Sequence, residues 1–175
     1  MAIGMIPVAG KGNSFWVLKQ GKTIDEATTA GMDSDECWEQ VGYLAGITPP
    51  TMTKEVNSEN YLDNPDSYAS KSAGTKDAGE LSVQIGYAPG TPAQQRLIDL
   101  YDVKNGEKEK WWYRIKSPSE DATKFVSNFY YGIMQSLGTP SSIENSADMK
   151  RDVKISLEGR PKLAEDFLKP VVPGG

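Results

Sequence analysis

Val153-Lys154-Ile155-Ser156-Leu157-Glu158-Gly159-Arg160-Pro161-Lys162-Leu163-Ala164-Glu165-Asp166 is the stretch on which the fold turns. Apolar Val153, Ile155 and Leu157 alternate with polar Lys154, Ser156 and Glu158. Successive side chains of a strand point to opposite faces, so this is the pattern of a half-buried β-strand. Gly159 and Pro161 end it, with Arg160 held between them.

The same period recurs upstream. Leu81, Val83, Ile85 and Tyr87 alternate with Ser82, Gln84 and Gly86, and Ala88-Pro89-Gly90 closes that strand. Lys110 to Lys116 reads as a strand with Trp111, Tyr113 and Ile115 on one face and Trp112, Arg114 and Lys116 on the other. The polar neighbours of Trp112 predict solvent or a partner on its side. Phe125 to Tyr131 is aromatic on both faces, as in a strand covered on both sides, and Phe15 to Lys19 reads as the first strand. Val41 to Ala45 and Thr51 to Val56 look like short strands separated by Pro49-Pro50, and Asp25 to Ala30 suits a short helix.

A longer helix is expected over about 91–105. Thr91 as N-cap, Pro92 at the first helical position and Gln94 two residues on compose a capping box. Leu97, Leu100 and Tyr101, with Ile98 alongside, give an apolar stripe, and Asn105-Gly106 the stop. The fold class is therefore mainly β, a β-sandwich or half-barrel with one flanking α-helix, in a single domain over residues 1–175. Residues 61–79 stand apart as small and polar, too long for an ordinary connection. Run out and back as a hairpin, they reach about 30 Å at ~3.3 Å per residue.

The 175 residues include 19 Lys and Arg, 24 Asp and Glu and no His, for a formal charge of −5. Without histidine there is no Ser-His or Cys-His nucleophile, and the commonest general base and metal ligand are missing. No basic block neutralises phosphates, so tight nucleic-acid binding is not expected. No apolar run spans a bilayer and the N-terminus lacks a signal-peptide pattern. A lone Cys37 makes no internal disulfide, which agrees with a reducing compartment.

Motifs with chemical overtones have plainer readings. Gly10-Lys11-Gly12-Asn13-Ser14-Phe15 imitates a phosphate loop but precedes a strand instead of opening a helix. Asp33-Ser34-Asp35-Glu36 begins like a calcium loop, yet Trp38 stands where the turn glycine belongs and Leu44 where the bidentate glutamate belongs. No carboxylate pair is singled out for hydrolysis. Catalytic, cofactor and metal residues are accordingly expected to be none.

Taken in order, several pieces resemble the major tail tube proteins of lambda-like, long-tailed bacteriophages. They are Phe15 to Lys19 after a Gly-containing leader, Ile47-Thr48-Pro49 leading to Tyr61-Leu62-Asp63, and Lys71-Ser72-Ala73-Gly74. Pro89-Gly90 and Gln94-Gln95 before the helix, Tyr113-Arg114-Ile115 with Pro118, and the closing Gly-Arg-Pro-x-x-Ala-Glu-Asp follow. The resemblance implies a structural virion protein, not an enzyme, that self-assembles into hexameric rings whose inner sheets join into a barrel. Stacked rings would form the conduit for genome ejection. It implies the chain itself, the tape measure protein and the tail tip and terminator proteins as partners. DNA would pass only in transit, with no membrane insertion, and assembly would take place in the host cytoplasm.

It also gives the 61–79 loop a task between rings, flexible in the monomer and ordered on assembly. Tyr61, Leu62, Asp63, Tyr68, Lys71, Lys76, Trp112 and Arg160 are the expected subunit-interface residues. Arg160 would fix the C-terminal tail through Glu165 or Asp166. The acidic 20–40 segment departs from the family pattern, and with Gly175 as the last residue no C-terminal immunoglobulin-like domain of the kind some relatives carry is expected. The tube protein of a contractile injection or type VI-like secretion system shares the architecture, and a carbohydrate-binding β-sandwich using an exposed Trp is a third reading.

Overall fold

Nine strands are described, and seven of them form one antiparallel sheet in the order β2-β1-β7-β8-β9-β6-β3. The structure is a computed structural model that describes residues 12–62, 65, 68–118, 125–140, 143, 145 and 148–167. In chain order the elements are β1 (Ser14–Leu18), α1 (Ile24–Ala30), β2 (Trp38–Val41), β3 (Leu44–Thr48) and β4 (Thr53–Glu59). There follow β5 (Ser70–Asp77), β6 (Glu80–Gly86), α2 (Pro92–Asp102), β7 (Lys110–Pro118), β8 (Phe125–Leu137), β9 (Lys150–Leu157) and a 3₁₀ turn at Ala164–Asp166.

The alternating strands form where their pattern put them. β9 buries Val153, Ile155 and Leu157, and β6 buries Leu81, Val83 and Ile85. Their register sets Leu81 opposite Ile155 and Val83 opposite Val153, so both apolar rows share one face. Phe15 and Tyr113 stack on that face, with ring centroids 5.9 Å apart. Leu97 and Leu100 of α2 are buried as well. Full burial of such side chains stabilises by about 1.5–3 kcal/mol each.

The two edge strands are neighbours in sequence. Only Gly42 and Tyr43 separate β2 from β3, although these strands lie at opposite ends of the sheet. Three Cα steps span at most about 11 Å, so the sheet must curl until its edges nearly meet at that corner. A cleft of about 580 Å³ between β3 and β7–β8, lined by Leu44, Ile47, Ile115 and Tyr130, lies inside the curl. This is the expected half-barrel, left unclosed.

Several local expectations need correction. The single strand over 41–45 is two strands, because Tyr43 takes a left-handed φ of 60° and turns the chain. Ser70–Asp77, within the polar 61–79 stretch, is strand β5 paired with β4. The short helix expected over Asp25 to Ala30 does form as α1, with the Thr23 hydroxyl accepting from the Glu26 amide at 3.3 Å, so the sheet carries two α-helices and not one. The capping box of α2 does not form. Thr91 Oγ1 donates to the Ala88 carbonyl instead. Gln94 is buried and bonds the preceding turn, accepting from Ala88 N at 3.2 Å and donating to Gly86 O at 2.7 Å. The α2 stripe is narrower than expected, since Tyr101 is exposed and the helix stops at Asp102 with Val103 left-handed.

Candidate assembly surface

Beneath any surface on which copies could meet lies the packing of β7. Arg114 and Lys116, expected to face solvent or a partner, are both buried, because the chain's own 32–35 segment covers them. Asp35 Oδ1 accepts from Arg114 Nη2 at 2.7 Å and from Lys116 Nζ at 2.8 Å. Arg114 Nη1 reaches the Ser34 carbonyl at 2.8 Å, and its guanidinium lies 4.6 Å from the Trp16 ring and 5.0 Å from Trp38. Partial burial opposes ionisation of Asp35. The hydrogen bonds and charges of Lys116 and Arg114 outweigh it and hold the carboxyl below its ordinary range. Burial in turn pulls the Arg114 guanidinium down, and Asp35 offsets part of that. The acidic segment is thus a clamp on the sheet, and its Asp35 is already committed. Among the described residues no group of three or more carboxylates or thiols is placed to hold a metal ion.

Trp112 is half-buried. Its indole lies 5.0 Å from the Tyr131 ring, the two planes tilted by 36°. It helps line a cleft of about 550 Å³ with Gly21, Ile24, Lys108 and Lys110.

Arg160 does pair with Asp166, in a fork at 2.8 and 3.2 Å, and also donates to the Pro161 carbonyl. That bond, with the Leu163 amide at 3.0 Å, keeps the Asp166 carboxyl below its usual range. Past the turn at Gly159 the tail runs on along β8. There Lys162 and Phe129 exchange backbone hydrogen bonds at 2.8 and 2.9 Å, and Asn128 Oδ1 accepts from the Ala164 amide at 2.7 Å. The closing motif therefore extends the sheet past the end of β9.

The remaining expected residues lie on the β4–β5 hairpin, apart from Asp63, which falls outside the described residues. Tyr61, Leu62 and Tyr68 are exposed near its end, and the Tyr61 hydroxyl donates to Glu59, which raises its pKa. Lys71 and Lys76 stand on β5 opposite Ser58 and Lys54. No side chain of either strand is buried. Among the described residues no strand pairs with the outer edge of β2 or of β3, and the hairpin buries no side chain, so these three features are the candidates for contact with a second copy.

The sequence profile of the family described as Lambda phage tail tube protein, TTP, matches residues 22–164. The chain belongs to that family. It is a structural component of a phage tail, one that self-assembles into a tube. No curated protein sequence matches the chain significantly. A chain of the tail of an empty GTA particle, refined with C6 symmetry, superposes with a TM-score of 0.61 at 9% identity, covering 90% of this chain and 98% of that one. A chain of the anti-feeding prophage baseplate gives 0.62 at 9% identity, over 91% and 98%. The SPP1 tail tube protein gives 0.51 at 14% identity, over 90% and 80%. At such low identity the likeness is of fold alone, the unclosed tail tube sheet.

Sequence reading missed the Asp35 clamp and the buried Arg151. The Arg151 guanidinium lies 5.0 Å from the Tyr87 ring, and among the described residues its Nε and Nη1 have no hydrogen-bond partner. A cation on an otherwise alternating strand was the only available signal for either.

Proposed function

We propose that copies of this chain close into six-membered rings that stack into the tube of a long, non-contractile tail, with a lumen that conducts the genome during ejection. One observation carries the reading. Among the described residues a single curled sheet keeps two unpaired edges, β2 and β3, a short span apart. An unpaired edge is a template for another strand, so edge-to-edge joining turns several half-barrels into one closed wall. The C6 symmetry of the similar GTA tail supports six as the ring number.

The interface residues are then Tyr61, Leu62, Asp63, Tyr68, Lys71 and Lys76 of the hairpin between rings, with Trp112 and the Arg160 bracket of the tail. Six copies at −5 carry about thirty negative charges per ring, and an anionic lumen lets DNA slide without sticking. The tape measure protein would occupy that lumen during assembly in the host cytoplasm, with terminator and tip proteins at the two ends. No catalysis is assigned to any residue.

A contractile system is the second reading, favoured by the likeness in fold to a chain of an extracellular contractile injection system, with a TM-score of 0.60 at 14% identity. A tape-measure gene nearby without a sheath gene selects the first reading. Electron microscopy of the purified chain tests tube formation. Regular tubes with an axial repeat are expected, and a monomer that persists at all concentrations refutes the reading.

A further inference from the structure

The β4–β5 hairpin separates its charges by face. Along β4, Lys54, Val56 and Ser58 point one way and Thr53, Glu55, Asn57 and Glu59 the other. The register places Lys76 opposite Lys54, Ala73 opposite Val56 and Lys71 opposite Ser58, and it places Asp77, Ser72 and Ser70 on the second face. A bulge sets Glu55 against Gly74 and Thr75. A Cβ on Gly74 would come within 3.1 Å of the Glu55 side chain, so Glu55 lies over that glycine and stays on the second face. One face thus carries Lys54, Lys71 and Lys76 around an apolar centre of Val56 and Ala73. The other carries Glu55, Glu59 and Asp77.

This arrangement works against the isolated hairpin. Like charges directly opposite one another, as at Lys54 and Lys76, destabilise a strand pair. A two-stranded hairpin with nothing buried is marginal in water. Among the described residues none of these six charged groups makes an ion pair. The two faces do match each other in pitch. Lys54 and the Lys71 position opposite Ser58 are four residues apart along β4, as are Glu55 and Glu59, a spacing of about 13 Å in each case.

We propose that the lysine face of one copy's hairpin packs on the carboxylate face of a second copy's hairpin. The contact rests on the tube-forming reading and specifies one of its interfaces. It is head-to-tail: each hairpin offers one face of either sign, so the contact repeats from copy to copy and either closes into a ring or continues along a helix.

Two variants and their mixture test it. K54E/K71E/K76E makes both faces acidic, and E55K/E59K/D77K makes both basic. Each is expected to keep the thermal melting of the wild type, because the hairpin takes no part in the core. Each alone should need a concentration more than about a hundredfold higher to form tubes by electron microscopy. Mixed in equal amounts, they should form tubes again, since every contact then joins an acidic to a basic face. A single-face variant that assembles at the wild-type concentration overturns the proposal, and so does a mixture that stays unassembled, which would place the lysines against some other surface. A wild-type chain that forms no tubes overturns the assembly reading and this contact with it. Tubes from the wild type and from both variants overturn the contact alone.

Discussion

Removing the Asp35 carboxylate should cost far more than its position on the surface suggests. Its side chain is 45% exposed, yet Arg114, which it holds at 2.7 Å, is fully buried, and Lys116 nearly so. Asp35→Ala deletes two charge-assisted hydrogen bonds worth about 1.5–3 kcal/mol each. It also leaves two buried cations short of a counter-charge, a class of change that costs about 3–5 kcal/mol when the pair is wholly buried. Water reaches the exposed side of Asp35 and replaces part of the loss, so about 2–3 kcal/mol is expected. At about 2–4 °C per kcal/mol for a chain of this length, the melting temperature should fall by about 4–12 °C. Asp35→Asn keeps an acceptor oxygen and should lose about half as much.

The measurement is urea denaturation at a concentration where the protein sediments as a monomer, repeated across pH. A carboxyl held below its ordinary pKa of 3.8 stabilises the fold at pH above that value and ceases to as pH falls through the depressed native one. The gap between wild type and Asp35→Ala should therefore be full near neutrality and close in strong acid. A gap below about 0.5 kcal/mol at pH 7 would refute the clamp, because surface changes away from such features stay within that range. So would an Asn variant as damaged as the Ala variant.

Three further outcomes follow from the geometry. Gly132→Ala places a Cβ 2.2 Å from the Ser156 carbonyl and 2.8 Å from Leu157 Cα. Backbone cannot rotate away, so β8 and β9 must part and stability should drop by about 3 kcal/mol, read from denaturant midpoints; a neutral effect would place the β8–β9 register in doubt. Arg160→Ala frees Asp166, so the amides of Lys162 and Leu163 should exchange faster and tube yield should fall while the β7–β8 amides stay protected. Unchanged exchange together with normal tubes would show that the bracket is dispensable. The β4–β5 amides should exchange rapidly in the monomer and slowly in tubes, and strong protection in the monomer would contradict a hairpin completed by assembly.

Legibility in the sequence followed burial. β6 and β9 declare themselves because one face of each is buried and the other is not, which leaves the alternating signature in Leu81 to Ile85 and Val153 to Leu157. β5 leaves none, since no side chain is buried and Ser70–Asp77 is held as a strand by local pairing with β4 alone. The break at Gly42–Tyr43 was hidden for another reason: tyrosine carries no preference for the left-handed φ it adopts there. Arg114 and Lys116 read as a solvent face because the segment that covers them lies some 80 positions earlier in the chain. Only three-dimensional packing brings Asp35 to them. Gln94 fitted a capping motif by spacing and was drawn to the turn below by Gly86 O, an acceptor that β6 places there. Of the expected assembly residues, those on the polar hairpin stand out as a composition anomaly, whereas its division into charged faces requires the register.

The shortness of the sheet's free edges sets how growth must begin. β2 offers four residues and β3 five, the latter broken by a bulge between Leu44 and Gly46. Short and irregular edges are how proteins discourage casual strand pairing. Two free copies joined along one such edge would gain too few hydrogen bonds to offset the freedom they lose. A closed ring makes every edge contact at once. A dilute pool of free subunits would therefore stay quiescent until a template presents a full circle of edges, and the purified chain alone would form tubes only at high concentration.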